Sequence, residues 1–240
     1  LDHAGPLARS CADVALLLAA MTDREIGFAP RRVPALRLGV IEQHAGDPDL
    51  SPAVGEVFEA ALQALSRAGV AIHRVSLPDL AYADDALMSV MAPEASVVHA
   101  DRLAARPGDF AEQTRVQLET GFALPATAHV RAQRYRRHLG RQLLGALDGG
   151  LDALVTPTVP WTAPNANPPL DDPAGAAEMR YIGPYNLTGL PALTLPCGLA
   201  GDGMPVGLQL AGGPCRDADL LAIGAGLEAL FPSTRPPRRA

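Results

Sequence analysis

Apolar positions follow two rhythms along the first third of the chain. Val14, Leu17, Leu18 and Met21 share one helical face behind Ser10 and Asp13, a pair spaced as an N-cap and an acid three residues on. Leu36 to Ile41 is an almost unbroken apolar run too short for a helix, which predicts a strand buried on both faces. Ser51 and Pro52 then supply a cap and a first-turn proline to a helix carrying Val54, Phe58, Leu62 and Leu65, and Gly69 closes it. Val70, Ile72 and Val75 form a second strand-like run. Strand, helix, strand is a βαβ unit, so its strands pair in parallel through a right-handed crossover.

From Asp79 to Leu147 the pattern is mostly helical, with breaks expected at Pro93, Pro107–Gly108 and Pro125. The run Arg131, Arg134, Arg136, Arg137 and Arg141 reads as the solvated face of a helix, with an anion site as the alternative. Leu151 to Val155 returns to strand character, and Pro157 to Pro173 is a long aperiodic segment of the kind that tends to be functional. Ala192 to Leu195 and Val206 to Leu210 are short strands whose connection holds the hairpin signal Asp202–Gly203. Asp217 to Leu230 predicts an amphipathic helix, and residues 232–240 a disordered tail.

Composition narrows the chemistry. Twenty basic residues against 26 acidic give a net charge of −6, which argues against a nucleic-acid footprint. The longest apolar run, Val14 to Met21, is too short to span a bilayer, and no basic, apolar leader opens the chain. Three cysteines, Cys11, Cys197 and Cys215, form no pairing pattern and suit a reducing, cytoplasmic compartment. All 20 basic residues are Arg, so a lysine base or Schiff base is ruled out within these 240 residues. The six His residues show no metal-ligand spacing and read as surface or hydrogen-bonded structural groups, and Gly224-Ala-Gly226 is no dinucleotide fingerprint.

Four segments carry a positive signal: Asp2-His3-Ala4-Gly5-Pro6-Leu7-Ala8-Arg9, Thr156-Pro157-Thr158-Val159-Pro160, Asn186-Leu187-Thr188-Gly189-Leu190-Pro191-Ala192, and Gly203-Met204-Pro205-Val206-Gly207-Leu208-Gln209. In this order they resemble the amidase signature family of serine amidohydrolases. The resemblance implies an α/β fold, part of a mixed β-sheet core flanked by helices, with residues 1–231 as the C-terminal portion of an amidase domain. It implies hydrolysis of carboxylic amide C–N bonds by a Ser–Ser–Lys group upstream of the first segment. No catalytic residue is therefore expected in this chain, which alone should be inactive. No cofactor is implied. The partners implied are a small amide and the N-terminal half of the same domain, with no nucleic acid and no membrane, and a homodimer left open.

On the same resemblance this part lends pocket walls. The loop from Thr156 to Pro164 follows a strand C-terminus, where α/β sheets place ligand crevices, so Thr158 and Trp161 are candidate substrate contacts. Burial of Trp161 against the core is the equal alternative. Tyr181 and Asn186 are candidate hydrogen-bonding groups toward substrate or the upstream half, with a structural capping role for Asn186 also open. Arg115 resembles the arginine with which glutamine-using members hold a carboxylate, although a helix-face ion pair is the commoner fate. Those members also carry an acid ahead of the Asn186 segment, and Glu178 stands one position away from it. A segment of a glutamine-using amidotransferase is accordingly the second reading, and a non-catalytic α/β binding or scaffold module the third.

Overall fold

The computed structural model describes residues 1, 3–166 and 173–231, with the side chains of 173–176 and 178 left aside. Helix α1 (Cys11–Thr22) starts on Ser10, whose Oγ accepts from Asp13 N at 3.1 Å. Strand β1 (Arg37–Ile41) is followed by the short helix α2 (Glu42–Ala45), then by α3 (Pro52–Arg67) and β2 (Ala71–Val75). Ser51 Oγ accepts from Val54 N at 3.3 Å, and the four predicted apolar residues of α3 are all buried. Each such side chain contributes about 1.5–3 kcal/mol by leaving water. Three long helices, α4 (Ala83–Ala105), α5 (Glu112–Ala123) and α6 (Ala126–Asp148), lead to β3 (Ala153–Pro157). Helix α7 (Pro173–Thr188), the hairpin β4 (Ala192–Leu199) and β5 (Pro205–Ala211), and helix α8 (Asp217–Leu227) complete the chain.

The sheet is mixed, in the order β2-β1-β3-β5-β4. β1 pairs in parallel with β2 and β3, while β5 runs antiparallel to both β3 and β4. The crossover β1–α3–β2 steps one way across the sheet and the long crossover from β2 to β3 steps back, so right-handedness requires opposite faces. The core shows this division. Leu38, Val40, Val155, Leu208 and Leu210 pack with α1, α3 and α8, whereas Ile41, Leu154 and Ala211 pack with α4, α6 and α7. β4 closes one end of the sheet, and no strand among the described residues pairs with its outer edge.

Three expectations need correction. Pro93 does not break the middle segment; it lies inside α4. A proline there leaves the carbonyl four residues back without a donor, and His129 Nδ1 on α6 lies 3.2 Å from that Ser89 oxygen. The contact selects the tautomer with hydrogen on Nδ1. Helix α8 is not amphipathic, because Leu220, Leu221, Ala222, Ile223, Gly224 and Leu227 are all buried. It is wedged between the sheet and α1, and a Cβ at Gly224 would stand 2.6 Å from Leu193 Cδ2 and 2.8 Å from Cys11 Sγ. On α1 the buried positions are Cys11 and Ala15, while Leu16, Leu17 and Met21 are exposed, since α8 rather than the apolar count decides which side docks. The arginine run does lie outward: Arg131, Arg134, Arg137 and Arg141 are exposed. The predicted tail falls outside the described residues.

Candidate functional site

The carboxyl end of β3 meets β5 and α7 in a chain of neutral polar groups. Thr156 is fully buried, and its Oγ1 accepts a hydrogen bond of 3.0 Å from Gln209 Nε2 on β5. The same amide donates to the Tyr181 carbonyl of α7 at 3.0 Å, so one side chain ties two strands to a helix. Burial raises the Tyr185 hydroxyl pKa, and the Thr156 hydroxyl beside it pulls the other way. One step along, Thr158 N donates to the Gly207 carbonyl at 3.0 Å and Thr158 Oγ1 to Thr194 Oγ1 at 3.3 Å. Position 207 must be glycine for this, because a Cβ there would sit 2.5 Å from Thr158 Oγ1.

This polar floor opens into a groove of about 630 Å³ between α7, β4, α8 and the segment His3–Ala8. Gln209, Thr194, Tyr185 and Asn186 supply its polar lining, and Val14, Leu18, Leu190 and Leu193 its apolar lining. Asn186 Nδ2 lies 3.2 Å from His3 Nδ1, which also lies 2.8 Å from the Leu1 carbonyl. A single ring nitrogen can accept from the amide or donate to the carbonyl, so the tautomer decides which contact holds. Beside the groove a smaller cavity of about 200 Å³ is lined by Leu87, Met91, Met179, Ile182 and Asn186, with Gly183 closing it against Leu87.

A second cluster stands behind α7. Arg180 Nη1 reaches Asp47 at 3.1 and 2.9 Å and Asp49 at 3.0 Å, and Arg180 Nε lies 3.6 Å from Asp84. Burial pushes the Asp84 carboxyl up and Arg180 opposes that shift. Next to it the buried His44 ring stacks on Tyr181 at 4.6 Å, and the Tyr181 hydroxyl donates to the His44 carbonyl at 3.2 Å. Neither His44 nitrogen meets a partner in hydrogen-bond geometry. Burial lowers its pKa to about 4, against the attraction of Asp47. Among the described residues no group of three or more His, Cys, Asp or Glu is arranged to hold a metal ion, and no helix is long and apolar enough to cross a membrane.

Comparison with known families decides what this arrangement belongs to. The family model described as Amidase matches residues 1–221. The chain belongs to the amidase signature family. A 2-amino-5-chloromuconic acid deaminase of Comamonas testosteroni is 34% identical over 96% of this chain and 52% of its own length. An amidase of Pseudomonas putida is 30% identical over 95% of this chain and 53% of its own. The relatives also include the glutamine-dependent side of the family: a glutamyl-tRNA(Gln) amidotransferase component of Symbiobacterium thermophilum is 33% identical over 93% of this chain and 53% of its own length. An amidase crystal structure superposes with a TM-score of 0.83 at 30% identity, covering 95% of this chain and 52% of that one. The chain thus spans about half the length of the curated relatives it matches.

Within this amidase-signature chain the candidate residues divide. Thr158, Tyr181 and Asn186 come together around Gln209, with Tyr181 facing inward and its hydroxyl committed to His44. Trp161 is half-buried beside Pro160, whose carbonyl accepts from Ser51 N at 2.8 Å. Arg115 lies on α5, its Nη1 2.7 Å from Glu119, and none of its polar contacts reaches the groove. The side chain of Glu178 and the whole of Asp2 fall outside the described residues. Gln209, Arg180 and His44 are site residues that the sequence does not single out. Gln209 closes one of the four family segments without a role attached to it there. Arg180 meets its partner Asp47 across 133 positions, a link no local pattern encodes.

Proposed function

We propose that residues 1–231 form the C-terminal portion of an amidase that hydrolyses carboxylic amide C–N bonds, with the nucleophile and its proton acceptor supplied by polypeptide upstream. The observation that carries this reading is the neutral polar floor of Thr156, Thr158, Thr194 and Gln209 beside an open groove. It offers a small amide hydrogen-bonding groups without a fixed charge, at the end of a parallel strand where such folds place their crevices. The open edge of β4 and the exposed Leu7, Leu16, Leu17 and Met21 give the upstream half a sheet edge and an apolar surface to cover. A cytoplasmic location belongs to the same proposal.

The test is to read the gene upstream of the Leu1 codon, express the whole reading frame, and assay hydrolysis of an uncharged aryl amide. Turnover that a serine-directed phosphonate abolishes supports the proposal, and a whole product without amide hydrolysis overturns it. The chain alone is expected to show no turnover. Similarity to the glutamyl-tRNA(Gln) amidotransferases keeps a glutamine-using complex as a second reading. Ammonia release from glutamine by the whole product would select it.

A further inference from the structure

Helix α7 carries Tyr181, Tyr185 and Asn186 toward the polar floor and the groove, yet it is interrupted at the turn that connects them. Pro184 has no N–H, so the Arg180 carbonyl lacks the donor that a regular helix would provide. Helical continuity alone therefore does not set the angle between the two halves of α7, and something outside the helix must.

We propose that Arg180 is a positioning residue of the amide site: its links to Asp47, Asp49 and Asp84 hold α7 ahead of Pro184 and so set where Tyr185 and Asn186 meet the groove. This rests on the amidase reading of the site. One guanidinium fork joins three segments: the loop after α2 through Asp47 and Asp49, the first turn of α4 through Asp84, and α7 itself. The Asp47 carboxylate, only 3% exposed, takes two of the contacts, a geometry that a flexible point charge cannot reproduce. On the adjacent turn Tyr181 is held between the His44 ring and Gln209 Nε2, so the same stretch of helix is pinned from the sheet side as well. Three carboxylates around one cation leave Arg180 saturated. It has no capacity to hold a substrate anion, and its influence passes through the backbone it fixes.

The experiment uses the full-length enzyme from the complete reading frame, an uncharged aryl amide as substrate, and active-site titration with a phosphonate, so that rates refer to folded sites. Arg180→Met is expected to raise KM roughly tenfold while kcat stays within about threefold, because the displaced groups bind the amide but do not react with it. Arg180→Lys, which keeps the charge but loses the fork, should fall between Met and wild type. A fall in kcat at constant KM, or no change in either, overturns the proposal. Where Arg180→Met fails to fold, Asp49→Asn serves instead, since that carboxylate is exposed and the other two links remain. A KM rise of about twofold to threefold at unchanged Tm supports the clamp, and an unchanged KM refutes it. Wild type without amide hydrolysis fails at the earlier step and sinks the amidase reading itself.

Discussion

Replacing His44 by Phe should make the protein less sensitive to acid. The ring is 1% exposed, both its nitrogens lack partners, and it stacks on Tyr181. Phenylalanine keeps the stack and the volume and removes the titration. Burial lowers the folded-state pKa from the ordinary 6.5 to about 4. The sign follows from linkage. Above pH 6.5 the ring is neutral in both states and proton binding contributes nothing. Between 6.5 and about 4 only the unfolded chain takes up the proton, so stability is lost as pH falls through that window and levels off below it. The full effect is about 3 kcal/mol, and about 2 kcal/mol of it should be present at pH 5.

Urea unfolding of both proteins at pH 7.5 and pH 5 measures this. Asp84 works in the opposite direction, because its raised pKa makes the folded state gain relative stability as the carboxyl takes up a proton. That contribution is common to both proteins, so the difference of differences isolates His44. Wild type should lose about 2 kcal/mol more than His44→Phe between the two pH values. An equal loss in both, or a His44 ring resonance that titrates near 6.5, would refute the reasoning.

Two further predictions concern packing between the long helices. His129→Leu removes the partner of the Ser89 carbonyl that Pro93 leaves free, and should cost about 1–2 kcal/mol in chemical denaturation. In a Pro93→Ala background the helix regains its own N–H and the same change should cost less than half as much, a coupling that a double-mutant cycle reads directly. At Gly121 a Cβ would overlap Ser96 Oγ and the Ala92 carbonyl where α5 crosses α4. Gly121→Ala should therefore lower stability by about 1–3 kcal/mol, visible as a reduced Tm, and an unchanged Tm would show that the crossing is loose.

Much of the fold was legible because short-range rules fix it. Ser10, Ser51 and Gly69 mark helix ends, the run 36–41 marks a strand covered on both faces, and Asp202–Gly203 marks a hairpin whose Asp202 Oδ1 accepts from Met204 N at 3.0 Å. The corrected elements are those whose state depends on a distant neighbour. Pro93 sits in a helix because His129 on another helix meets the orphaned carbonyl, and α8 is apolar all round because it is covered on more than one side. The site divides in the same way. Thr158, Tyr181 and Asn186 were visible as members of motifs, whereas the Arg180 clamp joins positions far apart in sequence and no periodicity signals it.

Charge pairing separates the two amide chemistries that this family's relatives span. Glutamine brings a carboxylate to the site, so its use requires a cation that can be released at small cost. Arg180 cannot be released, since freeing it would strand the buried Asp47 carboxylate. Arg115 can, because its contact with Glu119 is a partly exposed pair four residues apart on one helix, worth about 0.3–0.5 kcal/mol. A glutamine user built on this chain would therefore have to recruit Arg115, while hydrolysis of an uncharged amide makes no demand on it. In the full-length protein Arg115→Gln is expected to leave KM for an uncharged aryl amide within about twofold. Ammonia release from glutamine that the same substitution reduces by tenfold or more would overturn the preference for uncharged amides, and would bring α5 into the substrate site.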